Sequence, residues 1–299
     1  MPSSRFANYQ VVKPSIVAIA SRVFSNPEFP DIIGTGFIAE QDGVILTNDH
    51  VIRALKKLPR LKEWGAKEWP ARVLYLHHIP EKGVAVVPLP ILGVGTLGAN
   101  PPPGHVHYGT AVPDLGFIHV NARGLPPLKV ADHVTVDEGD EIMVAGFPMG
   151  TVTLRAPGWI HQLSPTLQSG IVSCVLPFRC DNPHALMLDV LIQGGSSGSP
   201  VFDPTSGEVV GVVYAGLIEE HSMRGDGVML YSSPTSHTFA IPAHHIQNAL
   251  RAVASYKVSN PSTEAAPTLA DIIASAELVT HMPRTPSALV RTLGPDDIE

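Results

Sequence analysis

Twenty-nine prolines and 26 glycines are spread along the 299 residues instead of being gathered in linkers. Proline removes a backbone donor and glycine loosens the chain, so long helices have little room and most segments must be short. Between these breaks lie runs rich in β-branched residues: Ser15 to Val23, Gly34 to Ala39, Gly43 to Thr47, Ala71 to Tyr75, Gly116 to Val120, Glu141 to Ala145, Ser169 to Val175, Ala185 to Val190 and Glu208 to Tyr214. So many short strands predict an all-β sandwich or pair of barrels. A hydrophobic share of 44% supports a sizeable core and excludes disorder. Helical spacing emerges only near the end. Ile246, Leu250 and Val253 predict a helix over about Pro242 to Tyr256, and Thr268 with Asp271 forms a capping-box-like pair ahead of Leu269, Ile272, Ile273 and Ala276. Residues Pro283 to Glu299 read as a mobile acidic terminus.

A formal charge of −7 argues against a nucleic-acid partner, which would require a basic face. The longest apolar stretch, Gly83 to Ala99, is interrupted by Pro88 and Pro90, so no membrane span is expected. Ile16 to Ala20 is too short for the apolar core of an export signal. Cys174 and Cys180 are therefore expected to be free thiols in a cytoplasmic protein.

Chemistry concentrates in Gln193-Gly194-Gly195-Ser196-Ser197-Gly198-Ser199-Pro200, a loop of small residues between Leu191-Ile192 and Val201-Phe202. Two readings compete: a plain turn, or a platform for a nucleophilic serine with the Gly195 and Ser197 N–H groups aimed at a developing oxyanion. Val44-Ile45-Leu46-Thr47-Asn48-Asp49-His50 favours the second, because it sets a histidine just past an apolar strand, where it can take the serine proton and return it to a leaving group. Thirteen further histidines weaken that inference for any one of them.

The order of these motifs resembles the chymotrypsin-fold serine proteases, most closely the HtrA/Deg-type branch. Gly34-Thr35-Gly36-Phe37-Ile38 and His50-Val51 are similar to that branch's first-barrel segments. Asp114 to Val120 resembles its aspartate strand, Gly146-Phe147-Pro148-Met149-Gly150 the loop that follows, Ser169 to Ser173 and Gly195 to Pro200 the surroundings of the nucleophile, and Phe239 to Pro242 the last strand. The order histidine, aspartate, serine is that of the chymotrypsin template. The resemblance implies two six-stranded antiparallel β-barrels with C-terminal helices. It assigns residues 1–256 to the protease domain, with the barrels meeting near 125–135 and an insertion over about 77–112, and residues 257–299 to a helical and then mobile tail.

Carried onto this chain, the resemblance implies Ser197 as nucleophile, His50 as general base and acid, Asp114 as the carboxylate that orients it, and the Gly195 and Ser197 N–H groups as oxyanion hole. Glu81 is the rival acid, nearer to His50 along the chain; Asp114 is favoured because the motifs after it stay in register. Leu191, Val213, Tyr214 and Ala215 become the substrate pocket, which would accept small or medium apolar side chains. The implied activity is that of a serine endopeptidase on protein or peptide substrates, working through an acyl-enzyme. The alternative is a catalytically weak binding or chaperone module, and an esterase on the same triad stays open.

Ser196 and Ser199 depart from the branch, which usually has Asn and Gly there; a Cβ at 199 would crowd the loop if its φ were positive. No peptide-binding PDZ domain is expected after the protease domain. His77, His78, His105 and His107 lack a companion ligand pattern, so no metal or other cofactor is expected. Docking of a partner or a second copy through residues 77–112 or the tail is a further expectation.

Overall fold

The computed structural model describes residues 9–22, 31–61, 64–65, 68–79, 83–97, 113–150, 164–178, 180, 182–224, 228–259 and 266–275. Thirteen strands and three helices carry names here. The first half contains β1 (Ile16–Ser21), β2 (Ile32–Glu40), β3 (Val44–Thr47), helix α1 (Asp49–Lys56), β4 (Ala71–Ile79), β5 (Gly83–Leu89), β6 (Ile91–Thr96) and β7 (Gly116–Val120). The second half contains β8 (Glu141–Gly146), β9 (Thr166–Leu176), β10 (Ala185–Asp189), β11 (Pro200–Phe202), β12 (Val209–Arg224) and β13 (Val228–Pro242), followed by α2 (Ala243–Ser259) and α3 (Leu269–Ser275).

The second half closes into a six-stranded antiparallel barrel, β10-β13-β12-β11-β8-β9, as expected. The first departs from the expected count: it is a seven-stranded antiparallel sheet, β5-β4-β1-β2-β3-β7-β6. Its edge strands β5 and β6 are separated along the chain only by Pro90, so they are two arms of one bent strand and the sheet curls round to meet itself. The bend follows from proline chemistry. Pro90 has no N–H to continue a ladder, while its carbonyl accepts the Asn121 N–H at 2.9 Å. Residues 77–79, 83–89 and 91–96, inside the stretch set apart as an insertion, are thus integral strands of the first barrel; residues 80–82 and 98–112 lie outside the described set.

Strand β1 is buried along its whole length, and its alternation shows why. Val17 and Ile19 pack inside the first barrel with Ile38, Ile45, Ile118 and Val120, whereas Ile16, Ala18 and Ala20 join Phe37, Leu46 and Phe117 in the core shared with the second barrel. A period of two therefore sorts one strand between two apolar environments, so the strand reads in the sequence as a continuous apolar run with no polar face. The chain crosses between barrels over a short span: the Leu128 N–H donates to the Ile38 carbonyl, and the Ala131 N–H to the Val209 carbonyl.

Helix α2 lays Ile246, Ala249 and Val253 into the second barrel's core, then reaches across to the first. The Tyr256 ring meets Phe117 edge-on at 5.2 Å, and Lys257 pairs with Glu40 at 2.7 Å and with Asp42. The capping box ahead of α3 forms as expected, with the Asp271 N–H donating to Thr268 Oγ1 and the Thr268 N–H to Asp271 Oδ2, both at 3.1 Å. The segment entering α3 is strapped to the first barrel: the Arg123 N–H donates to the Pro267 carbonyl and the Leu269 N–H to the Arg123 carbonyl. Leu269 is buried there, with Ile272 and Ile273 packed beside it. Cys174 and Cys180 are unpaired, and no described helix is long and apolar enough to cross a membrane.

Candidate active site

His50 sits in the first turn of α1, where backbone N–H groups have no helical partner. Asp114, just ahead of β7, supplies what that turn lacks. Its Oδ1 accepts the His50 backbone N–H at 2.9 Å, and its main-chain carbonyl accepts Asn48 Nδ2 at 2.9 Å and the Asp49 N–H at 3.3 Å. The second carboxylate oxygen holds the imidazole, with His50 Nδ1 at 2.5 Å from Asp114 Oδ2. Burial raises the Asp114 carboxyl, but the hydrogen bonds and charge of His50 outweigh it and leave the group below the ordinary carboxylate range. An ionised Asp114 can only accept, so Nδ1 carries the proton and the outer nitrogen, Nε2, is left as a base. The imidazole side chain is 41% exposed.

The 191–199 loop is built from the second barrel and pinned to the first. The Gly198 N–H donates to the Val213 carbonyl, the Val213 N–H to the Ser199 carbonyl, and the Thr35 N–H to the Ser197 carbonyl at 2.9 Å. Gly195 and Gly198 adopt φ of +94° and +87°. A side chain at either would be strained and would collide with backbone, a Cβ lying 2.3 Å from the Phe147 carbonyl oxygen at position 195 and 2.1 Å from the Thr35 carbonyl oxygen at position 198. Ser199 has no positive φ and so escapes the crowding anticipated for it. Its side chain lies against Gly146, where a Cβ would stand 2.0 Å from Ser199 Oγ.

Gly34 stands between the two halves of the site. A Cβ there would lie 2.8 Å from Val51 Cγ1, beside His50, and 3.5 Å from the Ser197 carbonyl oxygen. Hydrogen bonds among the described residues join His50 to Asp114 but do not join the Ser197 hydroxyl to His50. Glu81 lies outside the described residues. Of the residues assigned to a pocket, Leu191 is 42% exposed, Val213 is in the second barrel's core, and Tyr214 and Ala215 are half-buried. Tyr214 packs near Phe239, and burial, together with the negative charge of Asp114, raises its phenol. Of the histidines weighed for metal binding, His77 and His78 lie in β4, and His105 and His107 fall outside the described residues.

Sequence reasoning missed Asn48 and Thr35 as parts of this site. Asn48 is fully buried and ties the start of α1 to Asp114; Thr35 Oγ1 donates to the Gly195 carbonyl at 2.7 Å and accepts the Phe147 N–H at 3.0 Å. Only position within the Gly-Thr-Gly-Phe and Thr-Asn-Asp-His motifs marks them in the sequence.

The chain is 25% identical over 180 residues to a protein named DegP-like periplasmic serine endoprotease from Pseudomonas putida, covering 60% of this chain and 28% of that protein. It is 24% identical over 196 residues to the serine protease HTRA1 of Xenopus laevis, covering 63% of this chain and 32% of that one. The chain thus spans under a third of the length of these relatives. A solved serine endoprotease from Yersinia pestis superposes with a TM-score of 0.46 at 20% identity, covering 87% of this chain and 66% of that chain. Residues 34–212, from the start of the Gly-Thr-Gly-Phe motif through the strand behind the 191–199 loop, match the family described as trypsin-like peptidase domain, and the chain belongs to that family, as a distant relative of the DegP/HtrA serine endoproteases.

Proposed function

We propose that this protein is a serine endopeptidase acting on protein or peptide substrates through an acyl-enzyme. The observation that carries the reading is the grip of Asp114 on His50: one carboxylate takes both the ring and the main-chain N–H, which fixes the tautomer with Nε2 as acceptor. In the proposed cycle Nε2 takes the Ser197 proton as Oγ attacks the scissile carbonyl, the Gly195 and Ser197 N–H groups receive the oxyanion, and imidazolium returns the proton to the leaving amine. Water then repeats the sequence on the acyl group. Leu191, Val213, Tyr214 and Ala215, the residues proposed for the substrate pocket, carry no charge, which supports a preference for small or medium apolar side chains ahead of the cut. The two unpaired thiols support a reducing, cytoplasmic setting.

A second reading, a protease-fold binding or chaperone module with little turnover, draws on the missing hydrogen bond between Ser197 and His50. Hydrolysis of casein by the wild type and by Ser197→Ala, with fluorophosphonate labelling of Ser197 alongside, decides between them. The peptidase reading expects turnover and labelling in the wild type and a loss of about 10⁴-fold or more in the variant. Equal residual hydrolysis in both proteins would overturn it, and a folded wild type that neither cleaves nor labels supports the binding module.

A further inference from the structure

The loop proposed to hold the oxyanion belongs to the second barrel, yet one of its peptide planes is held by a side chain of the first. The peptide between Gly195 and Ser196 lies, along the chain, between the two N–H groups assigned to the oxyanion. Its N–H donates to the Gln193 carbonyl at 3.0 Å, and its carbonyl accepts Thr35 Oγ1 at 2.7 Å. The plane is therefore fixed at both edges, and it is covalently flanked by the two peptides that carry the Gly195 and Ser197 donors.

Thr35 is itself over-determined. It is fully buried, its N–H donates to the Ser197 carbonyl at 2.9 Å, and its carbonyl accepts Thr47 Oγ1 at 2.7 Å. Its hydroxyl has one proton. Because Oγ1 receives the Phe147 N–H at 3.0 Å, that proton is directed away from Phe147 and onto the Gly195 carbonyl. The Phe147 carbonyl in turn accepts the Gly150 N–H at 3.0 Å and lies so close over Gly195 that no Cβ fits between them.

We propose that Thr35 is a positioning residue: its hydroxyl locks the Gly195–Ser196 peptide so that the two flanking N–H groups stay aimed at the forming oxyanion without reorganising. Such preorganisation is where an oxyanion hole draws its effect, and a donor that must reorient during the reaction loses most of it. The role rests on the peptidase reading given above.

Thr35→Val keeps the branched shape and removes the hydroxyl; Thr35→Ser keeps the hydroxyl and removes a methyl. In Thr35→Val, kcat on a peptide substrate is expected to fall about 10- to 100-fold with KM within about twofold, and fluorophosphonate labelling of Ser197 to slow in parallel, since full loss of one donor is worth about 10²–10³ in kcat. Thr35→Ser is expected to stay within about threefold of the wild type. A packing role would give the opposite ranking, because serine loses the packed atoms and valine retains them. Amide hydrogen exchange over residues 193–198 needs no turnover: it should accelerate in Thr35→Val and not in Thr35→Ser. Unchanged exchange in folded Thr35→Val, or a Thr35→Ser protein as defective as Thr35→Val, overturns the proposal. A wild type that neither turns over nor labels overturns the peptidase reading instead, and the exchange measurement still decides whether Thr35 holds the loop.

Discussion

Ser199 shows how a single side chain can fit a site without being satisfied by it. Its hydroxyl is wholly buried against Gly146, and among the described residues Oγ has no hydrogen-bond partner. A buried hydroxyl without a partner has lost its water and gained nothing in exchange. Ser199→Ala is therefore expected to raise stability by about 1 kcal/mol, a Tm increase of about 2–4 °C for a chain of this size, measured by thermal unfolding. A fall in Tm would mean that the hydroxyl is bonded after all. The same scale explains what the sequence could convey. His50 and Ser197 stand in local motifs whose small and apolar neighbours announce a strand end and a tight loop. Thr35 acts on partners 112 and 160 residues away, and no local pattern records a bond across that distance.

Among the elements, α2 begins with an electrostatic liability. His244 lies in its first turn, Nδ1 is buried without a hydrogen-bond partner, and burial, with the nearby His184, pushes the imidazole down to about 4. A cation at a helix N-terminus is disfavoured as well. Between the ordinary histidine value near 6.5 and about 4, the unfolded chain takes up a proton that the folded chain does not, so stability is intact above that window and declines as pH falls through it. The decline due to this ring should be about 1–2 kcal/mol, the half-exposed setting being weaker than a sealed core. Urea midpoints at pH 7 and pH 4.5 check it: His244→Gln should lose less than the wild type, and equal losses would remove His244 as the cause. Elements also differ in how plainly the sequence marks them. β1, β3 and β7 were legible from their β-branched runs, and α3 from its capping box. β5 and β6 were hidden because Pro88, Pro90 and three glycines spell a loop, and only the sheet on either side makes strands of them. The polar stretch of β13 was hidden too; it is a strand because β12 pairs with it out to Arg224 and Val228.

Among the described residues the two barrels are joined by the crossing near Leu128, by the shared core under β1, by the hydrogen bonds of Thr35 to Gly195, Ser197 and Phe147, and by α2, which reaches the first barrel through Tyr256 and Lys257. The anchor of the strap that ends in α3 is Leu269, 8% exposed, in the first barrel's own core. Leu269→Ala is expected to destabilise the protein by about 2 kcal/mol, near the low end for a buried leucine because the site is at the barrel's rim. Chemical denaturation measures the total, and hydrogen exchange should show faster opening of β3 and β7 than of β12; a wild-type midpoint would show that the strap is ornamental to stability. Residues 266–275 belong spatially to the barrel made first and chemically to a part of the chain made well after both barrels. A ribosome delivering this polypeptide from its N-terminus, at about 5–20 residues per second, releases β1 to β7 many seconds before the piece that covers them. During that interval the early barrel has a bare apolar rim while the later barrel is already assembling, so the nascent protein must either be sheltered or wait, half-dressed, for its own tail.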